Sequence, residues 1–335
     1  MTAFTVLAVT LAVANVVLVA LVLVSRAWTV GRARRHEERV ARLRRPAVEL
    51  IECDPGFSPP VLRGGEARVF AEVLARYGRR LRGGPPEQIV AYFEDHGLVD
   101  EQLRRLGRLR SWHRAGAAFA LGDMGSRRAV PALVARLDDR SPDVRAAACR
   151  SLGHLGAAEA AGPIIAAGVR GAVPSPVARL ALIDIGPDAV PAVLAEADHD
   201  DPRVRAAAVQ LVGLLGEAHD AGAIIGRLSD PAAPVREATA TALGRLGAGE
   251  ATDDLVAALA DRVPGVRTAA AEALGGIGGR GAVDALLPIA RTDQFDPARA
   301  AAEALARAAP ALVVALAEEP DAGPHLREAA GRVLL

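Results

Sequence analysis

The sequence predicts an all-α protein: an α-solenoid, that is, a superhelix of stacked helix pairs, preceded by one N-terminal transmembrane helix. Three observations predict this fold. The composition favours small residues, with 73 alanines and 33 glycines among 335 residues and only 3% aromatic residues. An arginine recurs about every 31 residues through the last two thirds of the chain, and 21 successive residues near the amino terminus carry no charge. Small residues suit close helix packing, whereas a β-sandwich or barrel needs β-branched and aromatic strands.

The first element is the uncharged run from Phe4 to Val24. At 1.5 Å per residue it spans roughly 32 Å, which matches a hydrocarbon core of about 30 Å. A cleaved signal peptide is the alternative. However, nothing basic precedes the run, and Arg26 and Trp28 follow it in place of a small-residue cleavage site. We therefore expect an uncleaved membrane anchor in residues 1–25.

A basic stretch follows the anchor. Residues 26–45 contain eight arginines against Glu37 and Glu38, a net charge of +6. Because basic segments beside a transmembrane helix stay in the cytoplasm, we expect a single-pass protein of the cytoplasmic membrane with its N-terminus outside and its repeats in the cytoplasm. The arginines either bind anionic lipid headgroups or only set this orientation. Residues 26–62 are expected to form this juxtamembrane segment and a linker that is irregular from residue 46.

Residues 63–111 are expected to form a helical cap. Apolar residues at helical spacing predict helices over residues 66–82, 86–95 and 100–110. Seven of the ten aromatic residues of the chain lie between Phe57 and Phe119. This segment, with its larger side chains, is expected to cover the exposed N-terminal end of the helix array.

Residues 112–335 repeat one pattern whose register is set by an arginine. The eight positions are Arg114, Arg145, Arg179, Arg205, Arg236, Arg267, Arg299 and Arg327. Seven of these arginines follow a proline by two or three positions, which suits the first turn of a helix because proline has no N–H to leave unpaired there. Aspartates lie just upstream, where the positive helix start favours them.

Glycines fall in the same register as the arginines. The set eight residues past the arginine is expected to allow close backbone contact; it comprises Gly122, Gly153, Gly213, Gly244 and Gly275. The set eleven residues past is expected to end the helix in the left-handed conformation; it comprises Gly125, Gly156, Gly216, Gly247 and Gly278. An apolar second helix follows each stop, so each unit must stack on its neighbours to bury its faces. The third unit, residues 175–201, is short and predicts either a bend or the rim of a binding site.

The motif Pro142-Asp143-Val144-Arg145-Ala146-Ala147, followed by Leu152-Gly153-His154-Leu155-Gly156, resembles the short HEAT repeats first associated with phycobilin lyases. The resemblance covers residues 112–335. It implies a structural ladder in which repeat arginines meet aspartates of adjacent units, at Arg114, Arg145, Arg205, Arg236 and Arg267. Because the anchor, arginine stretch and cap precede the repeats, the chain is similar to bacterial membrane-anchored HEAT-repeat proteins. Some of these are encoded beside envelope glycosyltransferases.

The sequence contains no recognisable catalytic arrangement, and we expect neither a metal nor a cofactor. The seven histidines are scattered and none lies at metal-binding spacing from another. HEAT-type iron hydroxylases carry several His-Glu pairs, whereas this chain has only His36-Glu37. Residues 115–335 hold 21 arginines against 28 acidic residues, and this net charge of −7 argues against a nucleic-acid partner. Cys149 replaces a small core residue, which predicts a packing role.

These features predict a membrane-tethered cytoplasmic scaffold that binds a protein, either an envelope glycosyltransferase or another membrane complex, and no small-molecule substrate. The protein is therefore not expected to be an enzyme. One alternative is a lyase-type enzyme or enzyme subunit that uses the concave groove; it predicts a deep pocket with a buried acid or histidine of altered titration. Another is a purely structural membrane organiser that self-associates. The resemblance implies binding through the inner, second helices. The candidate protein-binding residues there are Arg136, Arg227, Asp253, Asp254 and Asp284, which are equally consistent with a solvated face.

Overall fold

The computed structural model describes residues 2–52, 62, 64–78 and 86–334, with their side chains except at residues 2–14, 16, 17, 24, 32 and 68. These residues form α-helices joined by turns and short 3-10 helices, with no β-strand among them. The chain divides into two compact units, which are Met1–Glu101 with Asp123–Gly125, and Gln102–Gly122 with Ser126–Leu335.

The first unit contains α1 (Thr2–Ile51), α2 (Gly65–Gly78), α3 (Glu87–Asp95) and the start of α4 (Leu98–Arg105). α1 packs against α2 and α3. Phe70 and Phe93 are fully buried. Tyr92 lies between them and makes an edge-to-face contact with each ring. Its ring centroid is 5.2 Å from that of Phe70 and 6.4 Å from that of Phe93. The aromatic residues of this segment therefore form its core.

Two local expectations for this unit are wrong. Residues 46–51 are not irregular: α1 continues past Pro46 because Ala47 and Leu50 are buried on the part of the helix that packs against its neighbours. α4 ends at Arg105, not at residue 110; Leu106 is the last buried residue before the turn at Gly107, and Leu109 is 97% exposed. Residues 53–61, in the predicted linker, and 79–82, at the end of the first predicted cap helix, lie outside the described residues.

Within the described part of the chain, no helix has a stretch that is long and apolar enough to cross a membrane. Most of the predicted anchor, residues 4–24, lies outside the residues whose side chains are described. The anchor therefore stays a prediction.

The second unit contains helix pairs followed by one further helix, which confirms the predicted array of short helices. The first helices of the pairs, with the final helix, are α5 (Ser111–Met124), α7 (Pro142–His154), α9 (Ser175–Ile185), α11 (Pro202–Leu215), α13 (Ala233–Leu246), α15 (Pro264–Ile277), α17 (Phe295–Ala308) and α19 (Pro324–Val333). The second helices are α6 (Val130–Val134), α8 (Ala161–Val169), α10 (Val190–Glu196), α12 (Ala221–Ile224), α14 (Thr252–Ala258), α16 (Arg280–Thr292) and α18 (Pro310–Ala317).

Successive first helices pack directly on each other along most of this array: α7 on α9, and α11 through α19 in series. The predicted close-contact glycines lie at these crossings. A Cβ built on Gly244 would lie 2.7 Å from the Cα of Ala273, and one on Gly213 would lie 2.6 Å from the Cα of Ala242. A side chain at either position would force the helices apart. The predicted role of these glycines in close backbone contact is confirmed.

Four of the predicted helix-ending glycines have a positive φ and a fifth does not; Gly247 is left-handed as expected, whereas Gly278, with a ψ of −164°, is not. Positive φ angles occur at Gly125, Gly156, Gly247 and Gly278. Gly216 has a φ of −79°, so the expectation is wrong there. The chain leaves α11 in an extended conformation because Glu217 starts a capping box, in which the Asp220 side chain accepts the Glu217 N–H at 2.8 Å.

Arginine–aspartate pairs join neighbouring units. Nε and Nη2 of Arg236 donate to the two carboxylate oxygens of Asp261 at 2.7 and 2.9 Å, and Nη1 donates to the Asp230 carbonyl at 2.9 Å. Asp261 also accepts the Val263 N–H at 2.8 Å, so one carboxylate binds an arginine and the start of the following helix. The same two-pronged contact joins Arg114 to Asp139, Arg205 to Asp230 and Arg267 to Asp293.

Candidate functional site

Arg145 differs from the other predicted ladder arginines because no described aspartate carboxylate binds its guanidinium. The residues 25 and 26 positions further on are Arg170 and Gly171, whereas an aspartate lies at this distance from Arg114, Arg205, Arg236 and Arg267. The guanidinium of Arg145 therefore donates to backbone carbonyls, those of Ala172 and, at 2.9 Å, of Asp139. Arg170 pairs with the exposed Asp138 at 2.9 Å. Of the five predicted ladder arginines, Arg145 is the one held by backbone carbonyls instead of a carboxylate.

The next first helix, α9, interrupts the stack. It has 11 residues, whereas α11 and α13 each have 14. It ends before Gly186, where φ is +80°, and Pro187 stands where five other units carry their close-contact glycine. α9 makes no contact with α11 comparable to those between the other first helices, and α8 packs against α11 instead. The first-helix layer therefore opens between α9 and α11.

This opening is a groove of about 780 Å³, which we call the α9–α11 groove; α8, α9, α11 and α13 line it. Ile165, Leu182 and Leu211 are buried and form its apolar floor. Ile183 and Leu214 line its walls and are 46% and 45% exposed. The larger polar side chains of the lining are Arg179, Gln210, Glu237, Thr241 and Arg245.

The groove lining is largely apolar and carries few charged side chains. Its lining includes no histidine, cysteine or aspartate, and its one acid, Glu237, is exposed. Arg179 is exposed and forms no ion pair with any described residue. Over the described part of the chain, no group of three histidine, cysteine or acidic side chains is placed to hold a metal ion. The groove can therefore cover an apolar surface and offer a cation.

Cys149 lies in the core of α7 and is fully buried. Its Sγ is 3.9 Å from the Val177 carbonyl oxygen of α9. Burial raises the pKa of the thiol to about 12, so the thiol is protonated at neutral pH and is a poor nucleophile. This environment fits the predicted packing role.

The five residues predicted to face a partner lie away from the α9–α11 groove. Nη1 of Arg136 is 3.5 Å from the ladder residue Asp139, and its Nε is buried without a hydrogen-bond partner. Arg227 pairs with Asp198. Asp253 and Asp254 are exposed on α14, and Asp284 is exposed on α16. Their role in binding stays a prediction. For the groove residues, the only indication in the sequence was the short third unit.

The comparisons with known proteins agree with this architecture. The family described as HEAT repeats matches residues 103–183 and 221–306, so these two segments are similar to HEAT repeats. The unmatched stretch between them, residues 184–220, contains the end of α9 and all of α11. The family pattern is therefore interrupted at the same place as the helix stack.

Solved structures similar to the chain share only general features with it. Human deoxyhypusine hydroxylase in complex with glycerol is 23% identical, with a TM-score of 0.33, over 81% of this chain and 97% of that chain. The complex of CpcE and CpcF of phycocyanin lyase from Nostoc sp. PCC7120 is 22% identical, with a TM-score of 0.28, over 70% of this chain and 96% of that chain. An engineered protein is 21% identical, with a TM-score of 0.37, over 86% of this chain and 88% of that chain. Likeness at this level says nothing about activity. No curated protein matches the chain.

Proposed function

We propose that the chain is a membrane-tethered scaffold that binds another protein through the α9–α11 groove, without bond chemistry. The observation that carries this proposal is the interrupted helix stack, which leaves Ile183 and Leu214 half exposed beside a buried apolar floor. Covering such a surface is favourable by about 25 cal/mol for each Å² of apolar area removed from water. Grouped apolar residues at an opening in an otherwise packed array are typical of a protein-interaction site.

The tether is the second part of the proposal. The run from residue 4 to 24 carries no charge, and Leu18, Leu21 and Leu23 are each more than half exposed. A hydrocarbon environment would cover these side chains, and the arginines of residues 26–45 would hold the repeats in the cytoplasm. Tethering both partners to one membrane raises their effective concentration. We therefore propose a membrane-associated partner, such as an envelope glycosyltransferase or another membrane complex.

Capture from detergent-solubilised membranes tests the groove. Full-length chain is compared with Leu214→Glu, which places a charge on the groove wall, and with Leu312→Glu, a matched change at an exposed leucine on α18. We expect the wild-type chain and Leu312→Glu to retain the same proteins. Leu214→Glu is expected to lose them at least tenfold while its thermal unfolding midpoint stays unchanged.

Two results would contradict the proposal. If Leu214→Glu captures the same proteins as the wild-type chain, the groove is not the docking surface. If a chain lacking residues 112–335 also captures them, the array itself is not involved. A reporter active only in the cytoplasm, fused to the carboxyl terminus, tests the tether separately; a silent fusion would refute the proposed orientation.

A further inference from the structure

The α9–α11 groove pairs an apolar floor with an arginine that has lost its usual partner. We propose that it binds an amphipathic α-helix of the partner protein, and that Arg179 holds a carboxylate on that helix. This inference rests on the proposed function and names the kind of segment that the groove takes.

Four arginines of the repeat register are paired with an aspartate, whereas Arg179 pairs with none of the described aspartates. Arg114, Arg205, Arg236 and Arg267 are each held by both oxygens of an aspartate 25 or 26 residues further on. In these four units the aspartate lies six residues before the next repeat arginine, and in the shorter unit of Arg179 that position is His199. The Arg179 guanidinium is exposed on the groove lining instead of pairing between units. The planar guanidinium fork matches a carboxylate with two parallel hydrogen bonds, so an acidic residue of the partner would replace the missing aspartate.

The charges that line the groove also favour a helix that carries an acidic residue. The lining carries Arg179 and Arg245 against the single acid Glu237. By contrast, residues 115–335 as a whole carry a net charge of −7. The groove is therefore a locally basic site in an acidic array, and long-range attraction favours a segment that carries acidic residues.

The shape of the groove favours a helix over an added strand. A peptide that binds by strand addition pairs its backbone with a sheet edge, and the groove is lined by helices alone. A helix satisfies its own backbone and presents apolar residues at i, i+3, i+4 and i+7. The groove also lies where a direct contact between two first helices is missing. A partner helix packed there would meet Ile183 of α9 and Leu214 of α11 on its two sides.

The test is a selection from a display library of 16-residue peptides. Leucines are fixed at helical spacing and the remaining positions are random, and the target is the full-length chain in detergent micelles. We expect selected peptides to carry Asp or Glu at one register position beside the leucine face. Arg179→Glu should weaken their binding at least tenfold, and replacing the selected acid by arginine should restore affinity for that variant. Arg280→Glu, an exposed change outside the groove, is the matched control and should leave affinity unchanged.

Several outcomes would overturn the inference: no peptide whose binding depends on Leu214, no preference for an acid, or equal affinity for Arg179→Glu. Unchanged thermal unfolding of Arg179→Glu and of the milder Arg179→Gln checks that the fold is intact. The membrane capture separates the two proposals. If Leu214→Glu abolishes capture and Arg179→Glu does not, the proposed function stands and this inference fails. If neither variant affects capture, the proposed function itself fails.

Discussion

The segment from α11 to α17 and the segment around α9 are built from the same repeat, yet only the first packs continuously. At α13, Gly244 meets Ala273, Arg236 binds Asp261, and the helix has 14 residues. At α9 the glycine is replaced, Arg179 has no aspartate in register, and the helix has 11 residues. Three local features are therefore missing together where the α9–α11 groove opens. An open groove in a repeat array can thus coincide with the loss of residues that join neighbouring helices elsewhere.

The largest expected effect follows from removing a ladder carboxylate. Arg236 is buried, with 7% of its surface exposed, and its guanidinium pairs with Asp261. Asp261→Asn leaves this guanidinium without its charged partner. We expect the free energy of unfolding to fall by about 3 kcal/mol, because a buried cation loses its counter-charge. Urea denaturation measures this change. Asp254→Asn, an exposed change on α14, is the control and should stay within about 0.5 kcal/mol of wild type. Equal effects of the two variants would mean that the ladder contributes no stability.

A second change targets the glycine contact. Gly244→Ala should lower the free energy of unfolding by about 2 kcal/mol, because the new methyl group would lie 2.7 Å from the Ala273 Cα and the helices must move apart. Gly116→Ala in α5 is the matched control, since a methyl group added there would have no neighbouring atom within 4 Å. At that position the same substitution should raise stability by up to about 1 kcal/mol, because alanine favours the helix. If both substitutions changed the free energy of unfolding in the same direction, close packing would not distinguish Gly244 from Gly116.

At acid pH we expect a smaller loss of folding stability from each ladder carboxylate as it becomes protonated. Hydrogen bonds from ladder arginines hold the pKa of Asp139, Asp261 and Asp293 below the ordinary aspartate value. The unfolded chain therefore binds protons at a higher pH than the folded chain does. The stability from these pairs is complete above the ordinary pKa of about 3.9 and is lost as pH falls through the lowered folded pKa values.

Denaturation curves between pH 6 and pH 2.5 measure this dependence. Wild type should lose stability toward the acid end more steeply than Asp261→Asn, which lacks one of the three carboxylates. Parallel curves for the two proteins would show that the Asp261 pair does not contribute to acid sensitivity.

The smallest effect is expected at the α9–α11 groove. Leu214→Glu should change the free energy of unfolding by less than about 0.5 kcal/mol, because the side chain is 45% exposed and removes no packed contact from the stack. Leu211→Glu, at the buried floor of the same groove, should instead destabilise the array strongly, because it buries a charge. Similar losses for both variants would mean that Leu214 is a core residue and not part of a free surface.

The repeat register could be predicted because its residues act locally. Pro264 starts a helix and Gly247 ends one through their own backbone preferences, so neither needs the rest of the fold to be known. At Gly216 the local preference of the residue does not decide the backbone conformation. The same residue type in the same register takes a negative φ, because Glu217 and Asp220 form a different cap.

The α9–α11 groove could be anticipated only as an irregularity. The residues Ile185-Gly186-Pro187 indicate a short helix, but the lining depends on how far α9 lies from α11, which no local preference sets. Second-helix residues were predicted to face a partner because they are polar. Two of them, Arg136 and Arg227, form ion pairs within the array, with partners that lie three and 29 residues away.

The missing contact between α9 and α11 also bears on how the array unfolds. In a repeat protein each unit is stabilised by its immediate neighbours, so cooperativity passes from unit to unit through their shared interfaces. Between α9 and α11 that coupling is carried by the packing of α8 and α10 on α11, without the first-helix contact present elsewhere. This interface is therefore the one in the series from α7 to α19 that lacks an extensive contact between first helices. A ligand that fills the groove would contact α9 and α11 together and so strengthen the coupling between the units on either side.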